Sequence, residues 1–314
     1  MTDLVLATPL PADLVARSIE LGEKQPAANT ERAYAGDWAR FEAWCRHHGR
    51  RALPASEFTI QTHLLHLSDE GLRFSTISRA YASIRVQHER AGERLPTLHT
   101  VTTALSNLAK TLGSATHGKT PLLAEQLRMA VAGEAVTNLG VRDRALLLLG
   151  FAAALRRSEL VALDRQDVHF SDDGLTVTVR RSKTDQKGEG RVVGVPHGSK
   201  AACPVRATKA WIEAGSIVEG ALFRRIDRWG HIAPERLAPA AVARAVKRAA
   251  ELVGLDPAEF AGHSLRSGLA TSAAKAGKGL DVIMNTTGHK SERIARGYIR
   301  HATVFDACAS EGLL

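Results

Sequence analysis

The chain has 314 residues, 44% of them hydrophobic and 24% charged, which excludes wholesale disorder and predicts about two domains. Its 42 Lys and Arg outnumber 33 Asp and Glu, leaving a net charge of +9, so an anionic partner is expected, nucleic acid before membrane surface. Asp3 without a basic run, an apolar stretch (Ala145–Leu155) too short for a bilayer, and three scattered cysteines (Cys45, Cys203, Cys308) argue against a secretory signal, a spanning helix and a disulfide or zinc scaffold.

The predicted elements begin with a helix that Asn29 or Thr30 can cap, with Tyr34, Trp38, Phe41 and Cys45 on its apolar face. Ile60, Leu64 and Leu67 repeat that spacing after Pro54 and Ser56. Ile77, Tyr81, Ile84 and His88 do so after Ser75, and Val101, Leu105, Leu108 and Leu112 form a shorter set. Such helices joined by short loops make a small bundle, and residues 1–113 are its predicted extent. Residues 114–120 lie in a Gly/Ser/Thr/Pro stretch without apolar periodicity and form the expected linker. Residues 1–113 carry 13 basic and 12 acidic side chains, whereas residues 114–314 carry 29 and 21. The surplus charge therefore belongs to the second domain, residues 121–314.

That domain mixes periods. Residues 142–153 read as a helix buried nearly all round. Leu175, Val177 and Val179 alternate with polar residues, QKGEG turns the chain, and residues 191–195 return as a second strand. Val242, Ala245, Val246, Ala249, Leu252 and Val253 then line one helical face, with Arg244, Lys247 and Arg248 off it. The fold class expected is mainly α: a helical bundle followed by an α-rich domain with a small antiparallel sheet and a C-terminal tail helix.

Four segments carry candidate chemistry. In Leu155-Arg156-Arg157-Ser158-Glu159 a buried helix gives way to a new one, with Ser158 as the expected cap and Glu159 placed to hold Arg156. Lys183 follows the first strand of the hairpin. His263 and Arg266 are three residues apart at a helix N-terminus, a setting that favours phosphate. His289 follows Gly288, and Tyr298 lies nine residues beyond it. Each has an ordinary structural explanation in isolation; the order and combination are what unrelated sequences seldom produce.

That order (Arg, hairpin Lys, His-x-x-Arg, Gly-His, Tyr) closely resembles the tyrosine recombinase (phage integrase) family along essentially the whole chain. TERAYAGDWARFEAWCRHHGR and STISRAYASIRVQHERAG look like its core-binding (SAM-like) helical domain, and GHSLRSG, GYIR and Arg181–Thr184 look like its Cre-type branch. The resemblance implies site-specific recombination of double-stranded DNA by a homotetramer, through a covalent 3′-phosphotyrosine, in the cytoplasm at the nucleoid. It departs from the family at Ala154, where many members have Gly, and at His289, where the Cre-type branch has Trp.

Phosphate chemistry accounts for the residue types. Arg156 and Arg266 suit a planar clamp on the non-bridging oxygens, with His289 as a further donor. The cationic cluster is expected to favour the phenolate of Tyr298, with His263 taking or holding its proton. Lys183 is the expected general acid for the leaving 5′ oxygen, on family precedent, with Lys187 the runner-up; Glu159 orients the arginines. A covalent ester conserves the bond energy, so neither ATP nor a metal cofactor is expected, and no phosphate loop or metal motif is present in the sequence. Arg244 and Lys247 are the expected duplex contacts on the second domain, Arg79 and Arg85, with Arg73 and His88, on the first. The C-terminal tail (Val304, Phe305, Ala307, Leu313, Leu314) is expected to join neighbouring subunits. Two alternatives stay open: relaxation by a type IB topoisomerase, and a catalytically silent DNA-binding regulator.

Overall fold

The computed structural model describes residues 11–14, 28–93, 95, 99–113, 118–133, 135–180, 190–199, 201–289 and 291–302. The chain divides into two compact units at His117/Gly118, inside the Gly/Ser/Thr/Pro stretch.

The first unit contains α1 (Ala28–His47), α2 (Glu57–Asp69), α3 (Phe74–Arg90) and α4 (His99–Leu112). The helix α1 starts at Ala28, so Asn29 and Thr30 occupy its first turn and do not cap it. Ser56 caps α2, its Oγ accepting the Thr59 N–H at 3.2 Å. The apolar stripes read from the sequence close on one core of Phe41, Cys45, Ile60, Leu64, Ile77 and Ile84, to which α4 contributes Val101. His88 belongs to this core and not to a DNA-facing surface. It is fully buried, donates through Nδ1 to the Ile84 carbonyl (2.7 Å) and accepts the Ala55 N–H at Nε2 (2.9 Å). A 3.6-residue period marks a position as inward but does not tell a core histidine from a ligand-facing one.

The second unit opens with α5 (Ala124–Ala130) and α6 (Asn138–Ala152). Thr137 caps α6 by accepting the Gly140 N–H (3.1 Å). Ala145 through Gly150 are all buried, as the absence of a polar face requires. Next comes α7 (Arg157–Ala162), whose N-cap position is Arg156 and not Ser158: the Glu159 carboxylate reaches back to accept the Arg156 N–H at 3.0 Å. Strands β1 (Val168–Ser171), β2 (Gly174–Val179) and β3 (Arg191–Pro196) form an antiparallel sheet in that order. Val179 pairs with Arg191, Val177 with Val193 and Leu175 with Val195, so Arg191 shares the face of buried Val193 and Val195. Residues 181–189, which hold Lys183, Lys187 and all of the QKGEG turn but Gly190, lie outside the described residues.

The helix α8 (Pro204–Ala214) buries Trp211, whose Nε1–H donates to the Leu222 carbonyl (2.8 Å). A second hairpin, β4 (Arg224–Ile226) and β5 (Ile232–Arg236), was not legible: its strands are short, arginine-rich and without apolar alternation. The helix α9 (Pro239–Leu252) buries Ala241, Val242, Ala245, Val246, Ala249 and Ala250. Leu252, expected on that face, is its last residue and 74% exposed. Finally α10 (Ser264–Lys275), α11 (Leu280–Thr287) and α12 (Glu292–Ala302) complete the described chain. Leu122 runs against α10, its N–H donating to the Ser264 carbonyl (3.0 Å), and Gly268 permits this because any Cβ there would collide with the Leu122 backbone. Among the described residues no helix is long and apolar enough to cross a membrane.

Candidate active site

Helices α6, α7, α10, α11 and α12 bring the ends of their segments to one place. Arg266, in the first turn of α10, is fully buried. Its Nη1–H donates to the carbonyl of Ala154 at 2.8 Å, while Nε and Nη2 are enclosed with no partner among the described residues. Ala154 holds that carbonyl in place from a left-handed conformation (φ 49°), so the position does more than shape a turn. Burial, reinforced by the Arg156 charge, pulls the guanidinium pKa down to about 10, leaving it cationic at neutral pH but poorly solvated. Such a cation, with donors unspent, is suited to an anion.

Arg156 sits across from it. Its Nη1 donates to Glu159 Oε1 at 2.6 Å, and the Glu159 side chain is only 2% exposed. The orienting role read for Glu159 therefore has a geometric basis. A buried carboxylate without cations would be costly, and here two guanidiniums meet it: Arg191 Nη2 approaches Oε2 at 3.4 Å.

The histidines and the tyrosine close the cluster. His263 immediately precedes α10, and its Nε2 lies 3.1 Å from Tyr298 Oη across 35 residues of sequence. Burial first, then the charges of Arg266 and Arg156, lower the His263 pKa, so the ring is neutral at pH 7 and its Nε2 is placed to accept a proton. Tyr298 moves the other way. Burial raises its pKa even though Arg266 and Arg156 oppose the rise, so the phenol is protonated at rest. The cationic cluster thus lowers the cost of a phenolate without producing one. His289 stacks on the tyrosine ring (centroids 5.7 Å apart, planes at 26°). Thr287 Oγ1 donates to the Ile283 carbonyl (2.7 Å) and so accepts from His289 Nδ1 (2.8 Å), which places the single proton of the neutral imidazole on Nδ1. Burial and the surrounding cations hold that imidazole down at about 4.

Arg156, Glu159, His263, Arg266, His289 and Tyr298 are therefore brought together. Lys183 lies outside the described residues. Two contributors escaped the sequence reading. Thr287 fixes the His289 ring, and Arg191 binds both Glu159 and the Thr286 carbonyl (Nη1, 2.6 Å). A signal for Arg191 was present: an arginine at a core-facing strand position demands buried partners.

The basic surface is thinner than its composition suggests. Arg224 donates to the Glu219 and Ala221 carbonyls, Arg236 to those of Val161 and Leu163, and Arg225 pairs with Glu235 at 3.8 Å. Arg248 is bound to Asp143. Arg244 and Lys247 stand exposed on α9 with no acidic partner among the described residues. In the first unit Arg85 is exposed, whereas Arg79 is engaged by Asp37 (2.7 Å).

Residues 122–304, which span every member of this cluster, match the phage integrase family. The chain belongs to that family, the tyrosine recombinases. It is 39% identical over 289 residues to an integrase/recombinase XerD homolog of Selenomonas ruminantium, covering 90% of this chain and 84% of that protein. Cre recombinase of Escherichia phage P1 is 24% identical, over 84% of this chain and 80% of its own. The fold is shared with the Tn1549 transposon integrase bound to transposon right end DNA (TM-score 0.63, 18% identity, 95% of this chain and 97% of that one). It is shared also with a λ integrase dimer bound to a core site (TM-score 0.61, 19% identity, 91% and 93%).

Proposed function

We propose that this tyrosine recombinase cuts and rejoins double-stranded DNA at a specific site through a covalent 3′-phosphotyrosine, exchanging strands between two sites within a homotetramer. The observation that carries the reading is the 3.1 Å contact between His263 Nε2 and Tyr298 Oη beside two arginines from distant segments. In the first step Tyr298 Oη attacks the scissile phosphorus and its proton passes to His263 Nε2. The P–O5′ bond breaks, and the leaving 5′ oxygen takes a proton from Lys183. Arg266 Nε and Nη2, with Arg156, neutralise the charge that accumulates on the non-bridging oxygens. A bound phosphate also offsets the cations around His289, which favours its second proton and frees Nε2–H to donate. Rejoining is the reverse, with a 5′ hydroxyl attacking the phosphotyrosine.

Exposed Arg244 and Lys247 on α9, and Arg85 on α3, support duplex contacts from both units. The bundle of residues 1–113 is the proposed core-binding domain, residues 121–314 the catalytic one. GHSLRSG and GYIR support placing the exchange on the Cre-type side of the family, and a DNA-acting enzyme of this kind works in the cytoplasm. The test is a nicked suicide duplex carrying the target site, which traps the adduct because the cut strand diffuses away. Wild type is expected to give a protein–DNA adduct and Tyr298→Phe none. Equal behaviour of the two overturns the catalytic reading, and plasmid relaxation without two-site recombination overturns strand exchange.

A further inference from the structure

Arg191 stands at the start of β3, outside every motif of the family resemblance, yet it touches both halves of the site. Its Nη2 approaches Glu159 Oε2 (3.4 Å), and that carboxylate holds both the side chain and the backbone N–H of Arg156. Its Nη1 donates at 2.6 Å to the carbonyl of Thr286, in the last turn of α11, which leads directly into Gly288 and His289. A third observation is independent of these bonds. Gly288 adopts φ 65°, and a Cβ there would stand 3.1 Å from Arg191 Nε and 3.2 Å from Cδ, so the helix-ending turn is folded against the arginine itself.

We propose that Arg191 is a positioning residue for cleavage: by bridging Glu159 and the Thr286 carbonyl, it locks Arg156 and the His289 turn into one phosphate-binding frame. The inference rests on the recombinase reading above. A planar fork that spans two acceptors is something lysine cannot reproduce, so charge alone is insufficient at this position. A misplacement of the clamp by a fraction of an ångström is felt in the transition state rather than in duplex affinity, which is spread over many phosphate contacts.

The full-length protein is assayed on the nicked suicide duplex at saturating DNA, as wild type, Arg191→Lys and Arg191→Met, with duplex Kd and thermal midpoint measured alongside. The single-turnover adduct rate of Arg191→Lys is expected to fall about ten- to a hundredfold, with Kd within about twofold of wild type. Losses from Arg191→Met and Glu159→Gln should combine less than additively, since both release Arg156. Replacing the bridging 5′ oxygen by sulfur, which leaves without a proton, should not restore the rate. An unchanged rate, a loss lying wholly in Kd, rescue by sulfur, or an adduct loss matched by a collapsed thermal midpoint in both variants each overturns the proposal. Wild type that forms no adduct overturns the recombinase reading and this one with it, whereas an active wild type alongside an equally active Arg191→Met overturns this one alone.

Discussion

Ala154 is where backbone strain and phosphate chemistry meet. A left-handed φ costs an L-residue about 1–2 kcal/mol relative to glycine, and Ala154 accepts that cost while fully buried, its carbonyl fixed on Arg266. Glycine would relieve the strain but lose a buried methyl and add unfolded-state entropy, terms of similar size and opposite sign. Ala154→Gly is therefore expected within about 1 kcal/mol of wild type in urea denaturation, unlike an ordinary buried alanine. Ala154→Val should cost about 2–4 kcal/mol, because a β-branched residue suits neither the conformation nor the space. A Gly variant destabilised by much more would show that the turn carries no strain. At this scale the sequence was most legible where chemistry dictates residue type: two arginines, two histidines and a tyrosine in fixed order. It was least legible where a residue acts through others. The core-facing strand position of Arg191 signals buried partners without naming them, and nothing in the sequence marks Thr287 as the partner of His289.

Elements were readable wherever one face is buried and the period is clean, as in α2, α3 and α9. The β4–β5 hairpin shows the converse, since its arginines serve carbonyl and carboxylate acceptors and leave no apolar rhythm. The bundle also hides a titratable group on its apolar stripe. His63 of α2 is fully buried between Phe41 and Trp44 (ring centroids 5.0 and 5.1 Å away), with no hydrogen-bond partner for either ring nitrogen among the described residues, and burial lowers its pKa to about 4. In the unfolded chain the value returns to near 6.5. The neutral ring therefore stabilises the bundle fully above pH 6.5, and that stability is lost as pH falls from 6.5 towards 4. The 6.5-to-4 shift amounts to about 3 kcal/mol. Hydrogen-exchange protection of the α2 amides is expected to fall over this window in wild type and to stay level in His63→Leu. A wild-type profile as flat as the variant's would mean that the ring finds a partner on protonation.

At the scale of the whole molecule the question is what would close the tetramer proposed above. A groove of about 550 Å³ opens on the second unit, lined by Leu148, Phe151, Ala270, Ala273, Val282 and Ile283, and it is mostly apolar. Tyr298 packs against the cluster of Ala270, Ala274 and Ile283, and Ala270 and Ile283 also line the groove, so one small apolar cluster lies between the groove and the tyrosine. Under the proposed assembly the occupant is the apolar tail of a neighbouring copy, Val304, Phe305, Ala307, Leu313 and Leu314 in the sequence after α12. Burying one such large side chain yields about 1.5–3 kcal/mol, and contacts repeated around a ring reinforce one another. A head-to-tail contact also closes into a ring when each copy both gives a tail and receives one. Deleting residues 303–314, or filling the groove with Ala273→Trp, is expected to reduce assembly on paired sites at least tenfold, about 1.4 kcal/mol. Mixing the two variants separates a tail given to a neighbour from one folded onto its own domain. One variant retains the groove and the other the tail, so each mixed pair keeps a single intact contact. Exchange between subunits then predicts that the mixture forms DNA-bound dimers in native mass spectrometry that neither variant forms alone, and no closed tetramer. A tail that packs on its own groove leaves nothing for mixing to restore, and a mixture behaving as the plain average of its parts would exclude the exchange.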